Sequence, residues 1–201
     1  MRAVIFVPFL VLATSAAPAE LKAYVGAGGA ILDGSGAPTI SRFELFVPDH
    51  GAIADVRAVE LDIVHTWVGD LSIALVKKGA DGGPPLAAVT LLDRPGVPQS
   101  VFGNSSDLNG LYSFQVGGMP FPETRVGAVV PPGVYALNED ATYGAFRGHD
   151  KFGVWSLLLS DSAGENIGTL ASWRLVVDNV PEPTPGVLLT LAVAFLSARR
   201  R

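Results

Sequence analysis

His65 is the residue with the strongest claim to chemistry. It opens the run His65-Thr66-Trp67-Val68-Gly69-Asp70-Leu71, in which an imidazole, an indole and a carboxylate fall within six residues. Imidazole next to carboxylate is the raw material of general acid–base sites. A base also needs a nucleophile to serve, and neither this run nor any motif in the chain supplies one. The other histidines, His50 and His149, form no His-Glu-x-x-His zinc-protease spacing, and no Gly-x-Ser-x-Gly elbow occurs. The glycines at 26, 28 and 29 fail the dinucleotide pattern because Ile31 takes its final glycine position. His65 is in phase with Leu61, Ile63 and Trp67, so its ring is expected to point inward. There, a hydrogen bond to a backbone group would fix its tautomer and support the Gly69-Asp70 turn.

Carboxylates offer a second chemistry. Calcium takes six to eight oxygens, and loops of Asp, Asn, Ser and Gly supply them with little strain. Asn104-Ser105-Ser106-Asp107 and the loop from Asp161 to Asn166 have that composition, with Asp70 as a further contributor. Asp70, Asp107, Asp161 and Asn166 are the candidate Ca²⁺ ligands. The competing reading is that these side chains hydrogen-bond their own turns. Thiol chemistry is excluded, because the chain has no cysteine.

The elements that must position these residues read as strands. Phe43, Leu45 and Val47 alternate with polar positions, as do Val59, Leu61, Ile63, His65 and Trp67 against Glu60, Asp62 and Thr66. Leu71, Ile73 and Leu75, then Tyr112, Phe114 and Val116, then Trp155, Leu157 and Leu159, then Trp173, Leu175 and Val177 repeat the period of two. Turn clusters such as Asp81-Gly82-Gly83-Pro84-Pro85 and Pro131-Pro132-Gly133 separate them, and Gly117 to Gly133 reads as an irregular stretch along a sheet edge. Helical spacing is nowhere sustained. The expectation is an all-β antiparallel sandwich in which Trp67, Trp155 and Trp173 are buried platforms between the sheets.

Both ends differ from this core. Arg2, an apolar run from Ala3 to Ala13 and the small residues Ala17 and Ala19 predict a signal peptide over residues 1–19, cut by signal peptidase after Ala19. Residues 20–29 read as a flexible lead-in. At the other end, Val180-Pro181-Glu182-Pro183 precedes an apolar run from Val187 to Leu196 and the terminal Arg199-Arg200-Arg201. Ten residues of helix rise about 15 Å, half of a ~30 Å hydrocarbon core, and terminal arginines hold their end in the cytoplasm. Residues 20 to 180 carry 10 Lys plus Arg against 18 Asp plus Glu, a net charge of −8. That balance excludes a nucleic-acid partner held through its phosphates.

Two resemblances follow from these residues. The tail, residues 180–201, resembles the PEP-CTERM sorting signal, which implies recognition by an exosortase and delivery to the cell envelope, surface or extracellular matrix. The blocks His65 to Leu71, Leu91-Leu92-Asp93-Arg94-Pro95-Gly96, Gly153 to Leu157, Asp161 to Gly164 and Gly168 to Leu175 resemble the P domain, or Homo B domain, that accompanies subtilisin-like proprotein convertases. The resemblance runs through residues 30–179 and implies a jelly roll of about eight strands. It makes His65, Trp67, Gly69, Trp155, Gly168 and Trp173 structural family residues, and it admits structural calcium. Leu32 and Asn166 depart from the family pattern, the second where an aspartate is common. With no catalytic domain beside it, the expected role is a noncatalytic interaction or stability module for an envelope or matrix partner. The alternative is an accessory that docks on a serine protease made as a separate chain.

Overall fold

The computed structural model describes residues 20–35, 37–139 and 141–179. In these residues the chain forms nine strands: β1 (Glu20–Ile31), β2 (Thr39–Val47), β3 (Ile53–His65), β4 (Leu71–Lys78), β5 (Pro85–Asp93), β6 (Leu108–Met119), β7 (Gly133–Tyr135), β8 (Gly153–Asp161) and β9 (Gly168–Asn179). They make a five-stranded sheet ordered β1-β9-β3-β6-β7 and a four-stranded sheet ordered β2-β8-β4-β5. Neighbouring strands run antiparallel, except that β7 lies parallel to β6 beside Tyr112–Phe114.

The period of two decides which side chains meet. Val59, Leu61, Ile63 and His65 of β3 turn inward, as do Leu71, Ile73 and Leu75 of β4 and Trp155, Leu157 and Leu159 of β8. Both sheets feed one continuous apolar cluster, so each inner face is shielded by the other. Trp155 and Trp173 are fully buried in it, as the alternation predicts.

Four expectations fail, each for a physical reason. Residues 20–29 are no flexible lead-in: they belong to β1, which pairs with β9 from Glu20 opposite Asn179 to Ile31 opposite Gly168. Their glycines answer to packing, since a Cβ on Gly26 would lie 2.2 Å from Trp173 Nε1. Trp67 is not an inter-sheet platform. The alternation ends at His65, where the chain enters a 3₁₀ turn (Val68–Asp70); Trp67 has φ 61° and is only half-buried. Its indole N–H donates to the Phe102 carbonyl oxygen at 2.6 Å. Val116 is 60% exposed, because β6 leaves the core after Phe114 and Gly117 takes φ 82°. The stretch from Gly117 to Gly133 is shorter than expected, because β6 continues to Met119.

Among the described residues, no helix is long and apolar enough to cross a membrane. The sequence-predicted signal peptide with Ala17 and Ala19, and the tail with Val180 to Pro183 and Arg199 to Arg201, lie outside the described residues.

Trp173 faces Gly26 on β1 and Leu61 on β3, yet its Nε1 is buried without a hydrogen-bond acceptor. Trp173→Ala should therefore cost about 3–5 kcal/mol in denaturant unfolding. Trp173→Phe, which keeps a ring and discards the unpaired N–H, should cost far less. Equal losses for the two would show that the ring contributes little packing.

Candidate functional site

The residues singled out from the sequence gather at one end of the sandwich, where β3 ends, β4 begins and β8 ends. His65, the last residue of β3, is completely buried, as is Asp161, the last residue of β8. Imidazole Nε2 meets Asp161 Oδ2 at 3.2 Å, joining one sheet to the other. The partner is thus a carboxylate 96 residues away, not the backbone group expected. With Nε2 bonded to Asp161, Nδ1 is left buried without a partner.

The second oxygen of Asp161 accepts the Ala163 N–H at 3.1 Å and so shapes the β8–β9 loop. Asp70 stands close by. Its carbonyl accepts the Ser162 N–H at 3.0 Å, and its Oδ2 accepts from the Asn166 side-chain amide at 3.0 Å. Burial pushes the Asp70 carboxyl above the usual carboxylate range, and the Asp161 charge pushes the same way. Arg94, His65 and the Asn166 amide oppose them without prevailing. Gly168 completes the corner: a Cβ there would lie 2.3 Å from His65 Cδ2, so no other residue lets β9 pass this close. Gly69 plays a comparable part, its N–H donating to the Asn104 carbonyl.

Asp107 does not join the group. Its Oδ1 accepts the Trp67 N–H at 3.1 Å. The Asn104 amide is spent on the carbonyls of Pro122 and Thr124, at 2.8 and 3.0 Å. Of the candidate Ca²⁺ ligands, Asp70, Asp161 and Asn166 thus share one corner, with the Asn166 N–H₂ turned to Asp70, and Asp107 lies apart on the Trp67 N–H. Among the described residues, no three His, Asp or Glu side chains converge on a metal position.

Sequence reasoning missed a second histidine–carboxylate pair. His50 Nδ1 lies 2.8 Å from Asp150 Oδ2, the ring stacked on Phe152 with centroids 4.0 Å apart. Asp150 Oδ1 also accepts the N–H groups of Gly51 and Phe152, at 2.9 and 3.1 Å. Residual burial raises the Asp150 carboxyl, but His50 and these two N–H groups outweigh it and hold it below its ordinary range. No sequence signal joins residues 100 apart, beyond the turn-forming character of Asp before Lys151-Phe152. Both side chains are more than half exposed, so the pair contributes at most about 1 kcal/mol. Among the described residues, no hydroxyl is hydrogen-bonded to His50 or to His65.

No family model matches the chain, and no curated protein matches it. Among solved structures, it is similar to the serine protease of Aeromonas sobria. In the complex of that protease with its chaperone, the identity is 17%, covering 81% of this chain and 28% of the protease, with a TM-score of 0.40. For the protease alone the values are 18%, 80%, 27% and 0.38. The VP2 subviral particle of infectious bursal disease virus follows at 12% identity, covering 100% of this chain and 53% of VP2, with a TM-score of 0.28. The chain thus spans little more than a quarter of the protease, and likenesses this loose identify no activity.

Asp70 gives a pH test. Its carboxyl is raised in the folded state, so ionisation disfavours folding. The penalty is absent below the ordinary value of 3.8 and complete once pH exceeds the raised value. Asp70→Asn should accordingly melt higher than the parent at pH 7, by about 2–4 °C for each ~1 kcal/mol relieved. The gap should close as pH falls toward 3.8. A variant that melts lower at pH 7 would show that Asp70 is needed as an anion.

Proposed function

We propose that the chain is an exported, noncatalytic module, a jelly roll of the P/Homo B type, that acts by binding or stabilising a protein partner at the cell envelope or in the extracellular matrix. The observation that carries this reading is the sealing of His65 and Asp161. A general base must reach the proton it removes, and a pair with no exposed surface reaches neither substrate nor water. Its geometry serves architecture: one oxygen ties the sheets together and the other shapes a loop.

Export rests on the ends of the sequence. A signal peptidase removes residues 1–19, and an exosortase recognises Val180-Pro181-Glu182-Pro183 ahead of the short apolar run and Arg199 to Arg201. The protein passes through an inner-membrane intermediate before release. A second reading, an accessory that docks on a serine protease made as a separate chain, draws support from the P-domain blocks. Three of those blocks meet in the His65, Asp161 and Gly168 corner.

Intact-mass analysis of the protein from the envelope or medium of its native host tests this account. The expected species starts at Glu20 and ends close to Val180–Pro183, and a serine-directed fluorophosphonate probe leaves it unlabelled. An intact Arg201 would refute the sorting, and probe labelling would refute the noncatalytic role.

A further inference from the structure

A cleft of about 450 Å³ opens at the end of β5, between the β5–β6 loop and the segments 120–123 and 136–139. That volume lies within the ~300–1,000 Å³ of small-ligand sites. Leu91 and Leu137, both buried, contribute its apolar lining, together with Phe121 and the rings of Pro95, Pro98 and Pro120.

The charge of the cleft is one-sided. Among the described residues, Asp93, Glu123 and Glu139 line it, and no lysine, arginine or histidine does. Asp93 accepts from the Ser72 hydroxyl and Glu123 from the Gly96 N–H, but among the described residues none of the three carboxylates has a cationic partner. An apolar hollow ringed by unneutralised carboxylates fits a side chain with an aliphatic stem and a cationic head. Arginine answers it best, because a planar guanidinium lies against ring faces while its fork of N–H groups reaches two carboxylates.

The backbone beside the cleft says what carries that side chain. β5 is an edge strand, paired with β4 alone. Among the described residues, the one backbone hydrogen bond reaching its free edge from outside the sheet runs from Asn138 N–H to the Leu91 carbonyl, at 2.9 Å. Edges are ordinarily guarded by charged side chains or bulky cover. From Leu86 to Leu92 this one has no charged residue, and Leu86 is 52% exposed. A second hollow, of about 430 Å³, lies between Ala88–Thr90 and the segment that runs from Asn138 to Ala145, whose 3₁₀ turn Tyr143–Phe146 packs against β5, so the uncovered part of the edge is its Leu86 end.

We propose that the end of β5 binds an extended segment of a partner protein, the segment's main chain adding to the free edge and an arginine side chain entering the cleft among Asp93, Glu123 and Glu139. Edge addition supplies affinity through main-chain hydrogen bonds, and the pocketed arginine supplies selectivity. The assignment rests on the binding role proposed above and is independent of export, so its failure would leave the tail-processing result untouched.

The test is fluorescence anisotropy of a labelled, end-blocked heptapeptide, Thr-Val-Thr-Arg-Thr-Val-Thr, titrated with the full-length protein. Its twin carries citrulline, the neutral near-isostere, in place of arginine. The arginine peptide should bind at least tenfold more tightly than the citrulline peptide. The double variant Asp93→Asn, Glu123→Gln should lose at least tenfold affinity while its melting temperature holds, since both amides can still accept the Ser72 and Gly96 bonds. Equal binding of the two peptides would overturn the proposal, as would full affinity in the double variant or no saturation below ~1 mM. The peptide comparison stands even if the double variant fails to fold. N-acetylarginine methylamide should compete only weakly, and competition equal to that of the whole peptide would remove the edge strand from the account.

Discussion

The bond between His65 Nε2 and Asp161 Oδ2 is the constraint on which the rest of this structure turns. β3 belongs to the five-stranded sheet and β8 to the four-stranded one, so this contact clasps the two at a corner where both strands end. Everything nearby is arranged around it. Asp161 faces Leu71 across the β4–β8 ladder, which brings Asp70 to the same corner, and Gly168 lets β9 run against the imidazole. A buried polar pair adds little over apolar packing of the same volume, but loss of one partner strands the other in a medium that cannot solvate it. The corner therefore counts more through the cost of losing one partner than through what it adds to total stability.

That arrangement takes the chain's most chemical residues out of contact with solvent. His65, Asp70 and Asp161 are drawn inside, where their polar atoms hold turns and strand ends. What remains for contact with other molecules is the outside: the β5 edge, the carboxylate-lined cleft at its end, and exposed apolar side chains such as Val101 and Phe102. A sandwich lets loops and edges vary while the inner faces stay fixed.

Much of the core was legible because alternation is local. Val59 to Ile63, Leu71 to Leu75 and Trp155 to Leu159 disclosed their inward faces through a period of two that needs no knowledge of partners. The failures fall where a distant partner decides. Gly26, Gly28 and Gly29 look slack in one dimension and are strand residues once Trp173 lies over Gly26. Trp67 keeps the alternating phase in sequence, but the turn after His65 rotates it out of the core. His65 was correctly turned inward, yet its carboxylate partner lies 96 residues on, and the His50–Asp150 pair spans 100. The same long range hid the cleft, assembled from three segments that share no motif, and it set Asp107 on Trp67, apart from Asp70, Asp161 and Asn166.

A double-mutant cycle on unfolding free energy tests the clasp most directly, with His65→Leu, Asp161→Leu and the two combined. If the pair is a buried polar link between sheets, each single change strands a partner and costs about 3–5 kcal/mol, while the double change costs no more than the worse single one. Single variants within about 0.5 kcal/mol of the parent, or costs that simply add, would contradict it.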